Sequence, residues 1–350
     1  MPTAQTPDLS RFNEPPQRFP PCPKCKTAKN VVRAGMRKTK GKGALQRFAC
    51  SSCNTRFSTE PGRTMFPFKV IAFALTYYNA GHTYEDTKIA IKRKMRTDVS
   101  LPALQSWTKR YADITTFSSL RRKYRIDSKT SITTKKLYHL QIYLFKYHSL
   151  KLNIAAKAFP RIRDYIKDMA ETDHSKIFER SITRCSNFKP PTTTSSQFRR
   201  IPANNATRMA EMAITMAKSR AQRHEAVEEF FIANDSTTFA VEVPVYIFPE
   251  EAPELNLKEP LTGHIDILQF RNNKIYVLDY IPEAEASRIC THREGIRCIA
   301  KRYRRKPDQD PATSAQQLYL YKLALSIRAG IPMSAIACAA FNENGYAEFG

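Results

Sequence analysis

Two short apolar segments in the second half of the chain, 263–268 and 274–280, are joined across an Asn-Asn pair at 272–273. Asparagine tolerates the left-handed backbone of a two-residue turn, so the pattern predicts an antiparallel β-hairpin. Each strand carries one aspartate, Asp266 and Asp279, among residues that otherwise seek the core. A carboxylate in apolar surroundings is costly unless it is paired or bound to a cation. The two aspartates either hold Mg²⁺ or Mn²⁺ together or simply meet solvent at the strand ends.

An apolar helical pattern at 318–327 follows the hairpin, with Gln317 and Tyr321 four residues apart on one helix face. An aspartate on one strand, an acid on the next and then a Gln-Tyr helix resembles the RecB-like branch of the PD-(D/E)XK nuclease superfamily over residues 209–349. The resemblance implies an α/β restriction-endonuclease-like domain at 205–350. It also implies metal-dependent hydrolysis of phosphodiester bonds, by endonuclease or exonuclease action.

The same resemblance implies roles for individual residues. Asp266 and Asp279 are the expected ligands of Mg²⁺ or Mn²⁺, and the carbonyl of Tyr280 is a further oxygen ligand. Gln317 and Tyr321 are expected to orient the DNA or the acidic side chains.

Two further residues are candidates, and one position departs from the family pattern. His224, on a predicted helix at 206–234, is either a metal ligand or an ordinary surface histidine. Glu242, in a predicted strand at 238–248, joins the metal cluster, accepts a proton from water, or is a plain edge-strand acid. Ile281 stands where the family has a lysine, which leaves two hypotheses open: an active nuclease with a cation from elsewhere, and a nuclease fold that only binds DNA.

A basic insertion at 281–311 separates the hairpin from the Gln-Tyr helix. We expect its cations to contact the DNA backbone near the acids, although a nuclear localisation signal is the alternative. The candidate DNA contacts in it are Arg302, Arg304 and Arg305. A residue of this insertion, or Lys274 on the second strand, is the candidate replacement for the missing lysine.

The chain is strongly basic, with 57 Lys and Arg against 32 Asp and Glu and a formal net charge of +25. This balance favours a polyanionic partner, for which we take DNA, over a merely solvated basic surface. No stretch of about 18 apolar residues predicts a membrane span. The polar, proline-rich segment 1–20 is a predicted disordered leader without the apolar centre of a signal peptide. We therefore expect an intracellular protein, cytoplasmic and nucleoid-associated, or nuclear if eukaryotic.

Two Cys-x-x-Cys pairs follow the leader, formed by Cys22, Cys25, Cys50 and Cys53. Two such pairs on tight turns close a tetrahedral sulfur site, so the pattern predicts a structural zinc ribbon at 21–60. A redox pair is the alternative, although it does not require the second pair. Between the pairs, Arg37 and Lys38 are predicted to contact a phosphate backbone unless this loop is only a solvated tip.

Three short helices are predicted at 64–112, with Thr83 and Ser100 as capping residues. A glycine-containing turn between such helices is typical of a helix-turn-helix, whose third helix enters the major groove. Leu104 and Trp107 are expected to face the core. The predicted DNA-facing residues are Gln105, Ser106, Lys109 and Arg110.

Residues 20–112 together resemble the DNA-binding front end of insertion-sequence transposases, on the Cys-x-x-Cys pairs, the Gln-Arg-Phe-Ala-Cys segment at 46–50 and the Trp-Thr-Lys segment at 107–109. A three-helix protein-interaction domain is the competing interpretation. Residues 120–188 are predicted to be helical, with amphipathic helices at 137–152 and 154–169, and 189–204 to be a linker.

The sequence thus predicts a multidomain protein with a zinc ribbon, a helix-turn-helix, a helical middle region and a C-terminal α/β nuclease-like domain that ends in a hairpin. Its expected function is metal-dependent DNA cleavage linked to a mobile element or DNA processing. The alternatives are a catalytically silent DNA-binding protein and a transcription regulator. The sequence leaves open whether the protein forms a homodimer.

Overall fold

The computed structural model describes residues 19–20, 22–25, 27–39, 43–58, 66–121, 123–124, 126–139, 141–180, 183–190, 198–201, 204–282 and 311–349. The chain divides into two compact units, Met1–Phe66 and Pro67–Gly350. Across the described ranges, no helix is both long enough and apolar enough to cross a lipid bilayer. The predicted leader up to residue 18 and the basic segment 283–310 lie outside these ranges.

The first unit contains a three-stranded antiparallel sheet, as expected for a ribbon. Its strands are β1 (Val31–Thr39), β2 (Gly43–Cys50) and β3 (Arg56–Phe57). Its apolar core is small, with Val31 and Phe48 buried beside Cys22 and Cys50. A core of this size contributes little hydrophobic stabilisation.

The second unit opens with the three predicted helices, α1 (Phe68–Asn79), α2 (Tyr84–Met95) and α3 (Leu101–Arg110). The predicted caps are confirmed. Thr83 accepts a hydrogen bond from the Asp86 N–H while Asp86 accepts one from the Thr83 N–H, and the Ser100 hydroxyl accepts one from Ala103. These bonds satisfy helix N–H groups that have no partner within the helix.

The middle region is only partly helical, and the predicted helix at 137–152 is wrong over most of its length. A hairpin of β4 (Ile132–His139) and β5 (Gln141–His148) occupies this segment. Tyr143, Phe145 and Tyr147 are buried at every second position, which is the period of a strand. Aromatic residues pack well on a pleated sheet, and that preference prevails here over the helical spacing of the same residues. The helices of this region are α4 (Phe117–Arg121), α5 (Ser149–Ala156), α6 (Pro160–Glu171) and α7 (Ser175–Arg180).

An eight-stranded mixed sheet spans the second unit in the order β4-β5-β7-β8-β9-β10-β11-β6, antiparallel except for the β9–β10 pair. The remaining strands are β6 (Phe198–Arg200), β7 (Thr238–Ile247), β8 (Leu261–Arg271), β9 (Lys274–Tyr280), β10 (Ile336–Phe341) and β11 (Tyr346–Phe349). The remaining helices are α8 (Asn205–Ile214), α9 (Arg223–Asn234) and α10 (Pro311–Ala329). The predicted α/β character of the C-terminal region is confirmed at this level.

Three boundaries differ from the prediction. The segment taken as a linker contains β6, which pairs with β11 and so covers the edge expected to be formed by the last hairpin. The helix predicted at 206–234 divides into α8 and α9 around a short 3₁₀ turn, Arg220–Gln222. The three predicted domains of this region lie in one unit, because β5 pairs with β7 and α1 packs against α8 and α9.

The main apolar core lies between the sheet and helices α5, α6 and α10. Along β9, Ile275 and Val277 belong to this core, whereas the Tyr280 ring contacts His224 of α9. Alternate residues of a strand point to opposite faces, so α9 covers the other face of the sheet at this strand. The β8–β9 turn has the predicted left-handed conformation, with φ 51° at Asn272 and 54° at Asn273.

Candidate functional site

Three carboxylates occupy matching positions on three neighbouring strands. The pairs Val241↔Ile267 and Val243↔Ile265 place Glu242 of β7 opposite Asp266 of β8. The β8–β9 ladder ends at Ile267↔Leu278, and one step beyond that end Asp266 lies beside Asp279 of β9. The predicted pair of aspartates is therefore brought together, and Glu242 joins it.

Helix α9 adds two residues to this row. His224 Nδ1 lies 3.6 Å from Asp266 Oδ2. Ligand atoms of His224, Glu228 and Asp266 all lie within 4.8 Å of one another, a group that could hold a metal ion. The sequence prediction included His224 but missed Glu228, although their i, i+4 spacing places both on one helix face and is readable in the sequence. We call Glu228, Glu242, Asp266 and Asp279, with His224, the acidic cluster.

Backbone geometry adapts to the acidic cluster at two points. The Tyr280 N–H donates a hydrogen bond of 2.9 Å to Asp266 Oδ2, where the prediction assigned the Tyr280 carbonyl to a metal. Glu242 has a left-handed φ of 51° within β7. This conformation is costly for a residue with a Cβ and persists only where the surroundings enforce it, as they often do at functional sites.

Burial disfavours the charged form of the carboxyl groups in the acidic cluster and so raises their pKa values. It raises the pKa of Asp266 to about 8, with the Glu242 carboxylate adding to the rise, while the Tyr280 N–H and a hydrogen bond with Asp279 oppose it. Burial raises the pKa of Glu242 to about 7, and it raises the pKa of Glu228 well above its usual range, with Glu242 and Asp266 contributing. Four carboxylates that cannot all ionise in a low dielectric favour a bound cation.

One buried oxygen of the acidic cluster belongs to the helix residue Glu228. Glu228 Oε1 is buried without a hydrogen bond to any residue in the described part of the chain. Leaving such an acceptor unsatisfied costs roughly 1–3 kcal/mol, more if it is charged. The His224 side chain, in contrast, is 42% exposed, so the cluster opens to solvent on that side.

Gln317 and Tyr321 of α10 lie near Asp266 and Asp279, and their role in orienting the DNA or the acidic side chains stays a prediction. Gln317 Nε2 donates a hydrogen bond of 2.9 Å to the Tyr321 hydroxyl. Burial raises the pKa of Tyr321 far above its usual range, with Cys185, Asp279 and Asp266 adding to the effect. The ring needs Gly263, because a Cβ there would stand 2.5 Å from Tyr321 Cε1.

Ile281, which stands where the resembled nuclease family has a lysine, is a core residue. Ile281 is buried in the main apolar core, and its N–H donates a hydrogen bond to the Phe341 carbonyl. Lys274, proposed as a replacement, is exposed beside the β8–β9 turn. Asp279 lies five positions further along β9, about 16 Å away, which exceeds the reach of a lysine side chain. That candidate is therefore wrong.

The second candidate site lies in the first unit, where Cys22, Cys25, Cys50 and Cys53 converge within 4.8 Å of one another. Cys22 Sγ lies 3.6 Å from Cys53 Sγ, and Cys25 Sγ lies 4.0 Å from Cys50 Sγ. A tetrahedron of zinc–sulfur bonds of about 2.3 Å has sulfur atoms about 3.8 Å apart. The predicted cysteine cluster could thus hold a metal such as zinc.

Two thiols of the cysteine cluster shift in opposite directions, because their hydrogen bond raises the pKa of Cys25 to about 12 and helps to lower that of Cys53. A hydrogen bond with Thr55 lowers the pKa of Cys53 to about 6, so this thiol ionises readily. The Cys25 backbone nitrogen lies 3.5 Å from Cys22 Sγ, and its N–H points to that sulfur. Thiolates are the form that binds metals.

The predicted DNA-facing residues of α3 form an exposed surface. Leu104 and Trp107 are buried as expected. The exposed residues of this helix are Pro102, Gln105, Ser106, Lys109 and Arg110. The side chains of Arg37 and Lys38 in β1, and all of Arg302, Arg304 and Arg305, lie outside the described residues.

We compared the chain with protein-family models, with curated proteins and with solved structures, and none of the three comparisons found a match. The site is therefore interpreted from its own geometry and chemistry.

Proposed function

We propose that this protein is a divalent-metal-dependent nuclease that binds DNA and hydrolyses its phosphodiester bonds at the acidic cluster. The observation that carries the proposal is the convergence of His224, Glu228 and Asp266 within 4.8 Å of one another, with the Glu242 and Asp279 carboxylates interacting with Asp266. The assignment of the second unit to the restriction-endonuclease-like fold is part of the same proposal.

The donor set suits a hard divalent ion. Carboxylate oxygens with one imidazole match Mg²⁺ or Mn²⁺, whereas Zn²⁺ suits the four thiolates of the cysteine cluster. Glu228 Oε1, buried and unpaired among the residues described, is the atom that most needs a cation. His224, Glu228 and Asp266 would hold the ion, with Asp279 beside them. When bound, such an ion polarises a phosphate oxygen and lowers the pKa of a coordinated water.

The chain's own residues have distinct tasks in this proposal. Hydrolysis forms a bond between a water oxygen and phosphorus and breaks one phosphorus–oxygen ester bond. Glu242, which lies outside the His224–Glu228–Asp266 group, accepts the proton of the water, and the leaving oxygen takes a proton from solvent. Gln317 holds the Tyr321 hydroxyl beside Asp266 and Asp279, so these carboxylates keep their orientation.

Three features support DNA as the substrate. The net charge of +25 favours a polyanion. The exposed face of α3 presents hydrogen-bonding and cationic side chains, Gln105, Ser106, Lys109 and Arg110, in the manner of a recognition helix. The first unit, with zinc as the proposed ion at its cysteine cluster, would add a second contact to the phosphate backbone.

Nicking of supercoiled plasmid by the full chain tests the proposal. We expect cleavage that requires Mg²⁺ or Mn²⁺ and falls at least ~100-fold in Asp266→Asn and Glu228→Gln. Glu229→Gln is the matched control, because Glu229 is exposed on the same helix. Cleavage that persists in both cluster variants, or that requires no divalent ion, contradicts the proposal.

A second candidate function is DNA binding without cleavage. The buried Ile281 at the family's lysine position favours it, because no ammonium stands there. In that case the full chain protects a DNA site from chemical footprinting, and neither Mg²⁺ nor Mn²⁺ produces nicks.

A further inference from the structure

Two cationic side chains outside β9 and the basic insertion act on the acidic cluster. From the sequence, only Lys274 of β9 and the basic insertion are candidate sources of such a cation. Lys146 of β5 acts on Glu228, and Arg184, in the segment between α7 and β6, acts on Glu242. Phosphate hydrolysis in a site of four carboxylates needs a cation toward the substrate, because the diester is itself an anion.

Strand register places Lys146 next to the acidic cluster. The β5–β7 ladder consists of Tyr147↔Ala240 and Lys146↔Val241, and it ends there, one residue before Glu242. The left-handed φ of Glu242 bends β7 at the point where the pairing stops. Lys146 is therefore the last β5 residue that pairs with β7, and its partner Val241 directly precedes Glu242.

The side chain of Lys146 lies on the α9 side of the sheet. Directly paired residues of an antiparallel ladder share a face, so Lys146 points the same way as Val241. Helix α9 packs against both β5 and β7. Burial raises the pKa of Glu228 on this helix, and the Lys146 charge opposes the rise.

Arg184 suits the task less well because it is already engaged. It donates a hydrogen bond to the Tyr143 hydroxyl, and its guanidinium lies 5.4 Å from the centre of that ring. The Tyr143 ring in turn stacks on His264 at 3.7 Å. Arg184 is thus held within an aromatic and histidine cluster. Lys146 is half-buried at the end of its ladder and has a flexible stem.

We propose that Lys146 is a catalytic residue of the proposed nuclease, with its ammonium donating hydrogen bonds to the phosphate under attack. It stabilises the negative charge that grows on the non-bridging oxygens as the water oxygen bonds to phosphorus. This assignment rests on the proposed function. It would explain why the chain carries an apolar residue at 281: the cation comes from β5, on the far side of β7 from β8 and β9.

Single-turnover cleavage by Lys146→Gln and Lys146→Arg at saturating Mn²⁺ tests the assignment. We expect Lys146→Gln to cleave about 100-fold more slowly or worse, as removal of one donor to a developing anion does. Lys146→Arg keeps the charge and should recover part of that loss. Added methylammonium should also speed Lys146→Gln but not the wild type. The control is Lys136→Gln, an exposed lysine on β4 of the same hairpin.

Mn²⁺ affinity separates the proposed role from a merely structural one. If Lys146 contacts the phosphate, Lys146→Gln binds Mn²⁺ within about threefold of the wild type while cleavage falls by the factor above. Loss of Mn²⁺ affinity or of folding in parallel with cleavage would make Lys146 a counter-ion of Glu228 and overturn the assignment.

The failures of the two proposals are distinguishable. A wild type that cuts, loses cutting in Glu228→Gln and keeps it in Lys146→Gln refutes the role of Lys146 and leaves the nuclease intact. A wild type that cuts no DNA with any divalent ion removes both.

Discussion

The cysteine cluster and the acidic cluster each gather four side chains that can ionise to anions, but the chain builds the two clusters in opposite ways. The cysteine cluster uses two tight turns in a unit with almost no apolar core. The acidic cluster uses three strands and a helix that are already held by a large core. We therefore expect metal binding at the cysteine cluster to be required for the first unit to fold. The acidic cluster should instead destabilise the second unit until a cation binds.

The largest expected effect is loss of the first unit on Cys50→Ser. Structural zinc contributes on the order of 10 kcal/mol to such small units, so removing one thiolate should unfold this one. Hydrogen exchange of the full chain should show amides of residues 27–57 unprotected and those of Pro67–Gly350 unchanged. Ser52→Ala, in the same turn, should keep protection. Normal protection in Cys50→Ser would show that the ribbon folds without its fourth ligand.

The next effect concerns close packing beside the acidic cluster. Gly263→Ala places a methyl group 2.5 Å from the Tyr321 ring, whereas a Cβ at Gly345 has no atom within 4 Å. Overpacking of this kind costs about 1–3 kcal/mol. Urea unfolding should therefore give Gly263→Ala a lower free energy of unfolding than the wild type, with Gly345→Ala within about 0.5 kcal/mol of it. Equal stability of the two variants would show that α10 moves to make room.

A smaller effect is a pH dependence that divalent ions remove. The folded-state pKa of Asp266 is raised to about 8 from an ordinary value of 3.8, and that of Glu242 to about 7 from 4.5. The folded state therefore holds protons that the unfolded state has released, so stability falls as pH rises from about 4 to about 8. Metal-free thermal melts should show this fall.

Divalent ions and a cluster variant provide the checks on that pH dependence. Saturating Mn²⁺ should flatten the slope, because the bound cation replaces the protons. Asp266→Asn should reduce the slope without metal, leaving the part that Glu242 contributes. If the metal-free stability of the second unit rises between about pH 4 and about pH 8, the carboxyl groups of the acidic cluster do not have raised pKa values, which contradicts this account.

The smallest effect concerns DNA affinity. Lys109→Ala on the exposed face of α3 should weaken binding a few-fold and reduce the salt slope of the binding constant by about one. Lys157→Ala, exposed at the end of α5, is the control. Fluorescence anisotropy across a salt series measures both. Equal losses in the two variants would make the contact a general charge effect rather than a property of α3.

Features that depend on neighbours in sequence were predictable. The Cys-x-x-Cys turns, the Thr83 and Ser100 caps and the Asn-Asn hairpin turn are each specified by a few adjacent residues. The convergence of Asp266 and Asp279 was also predicted, because the hairpin between them is local.

Features that depend on distant segments were missed. The aromatic residues of the β4–β5 hairpin fit both the helical and the strand period, and only pairing with β7 decides between the two. Glu228 lacked the strand context that marked the two aspartates. Lys146 reaches the acidic cluster through a strand pairing across about a hundred residues of chain, which no local pattern reveals.

Mn²⁺ binding to the full, zinc-loaded chain tests most directly whether the acidic cluster is a metal site. Calorimetric titration should detect Mn²⁺ binding in the wild type and in Glu229→Gln, and an affinity at least ~10-fold weaker in Glu228→Gln and Asp266→Asn. Unchanged Mn²⁺ affinity in both cluster variants would contradict the account.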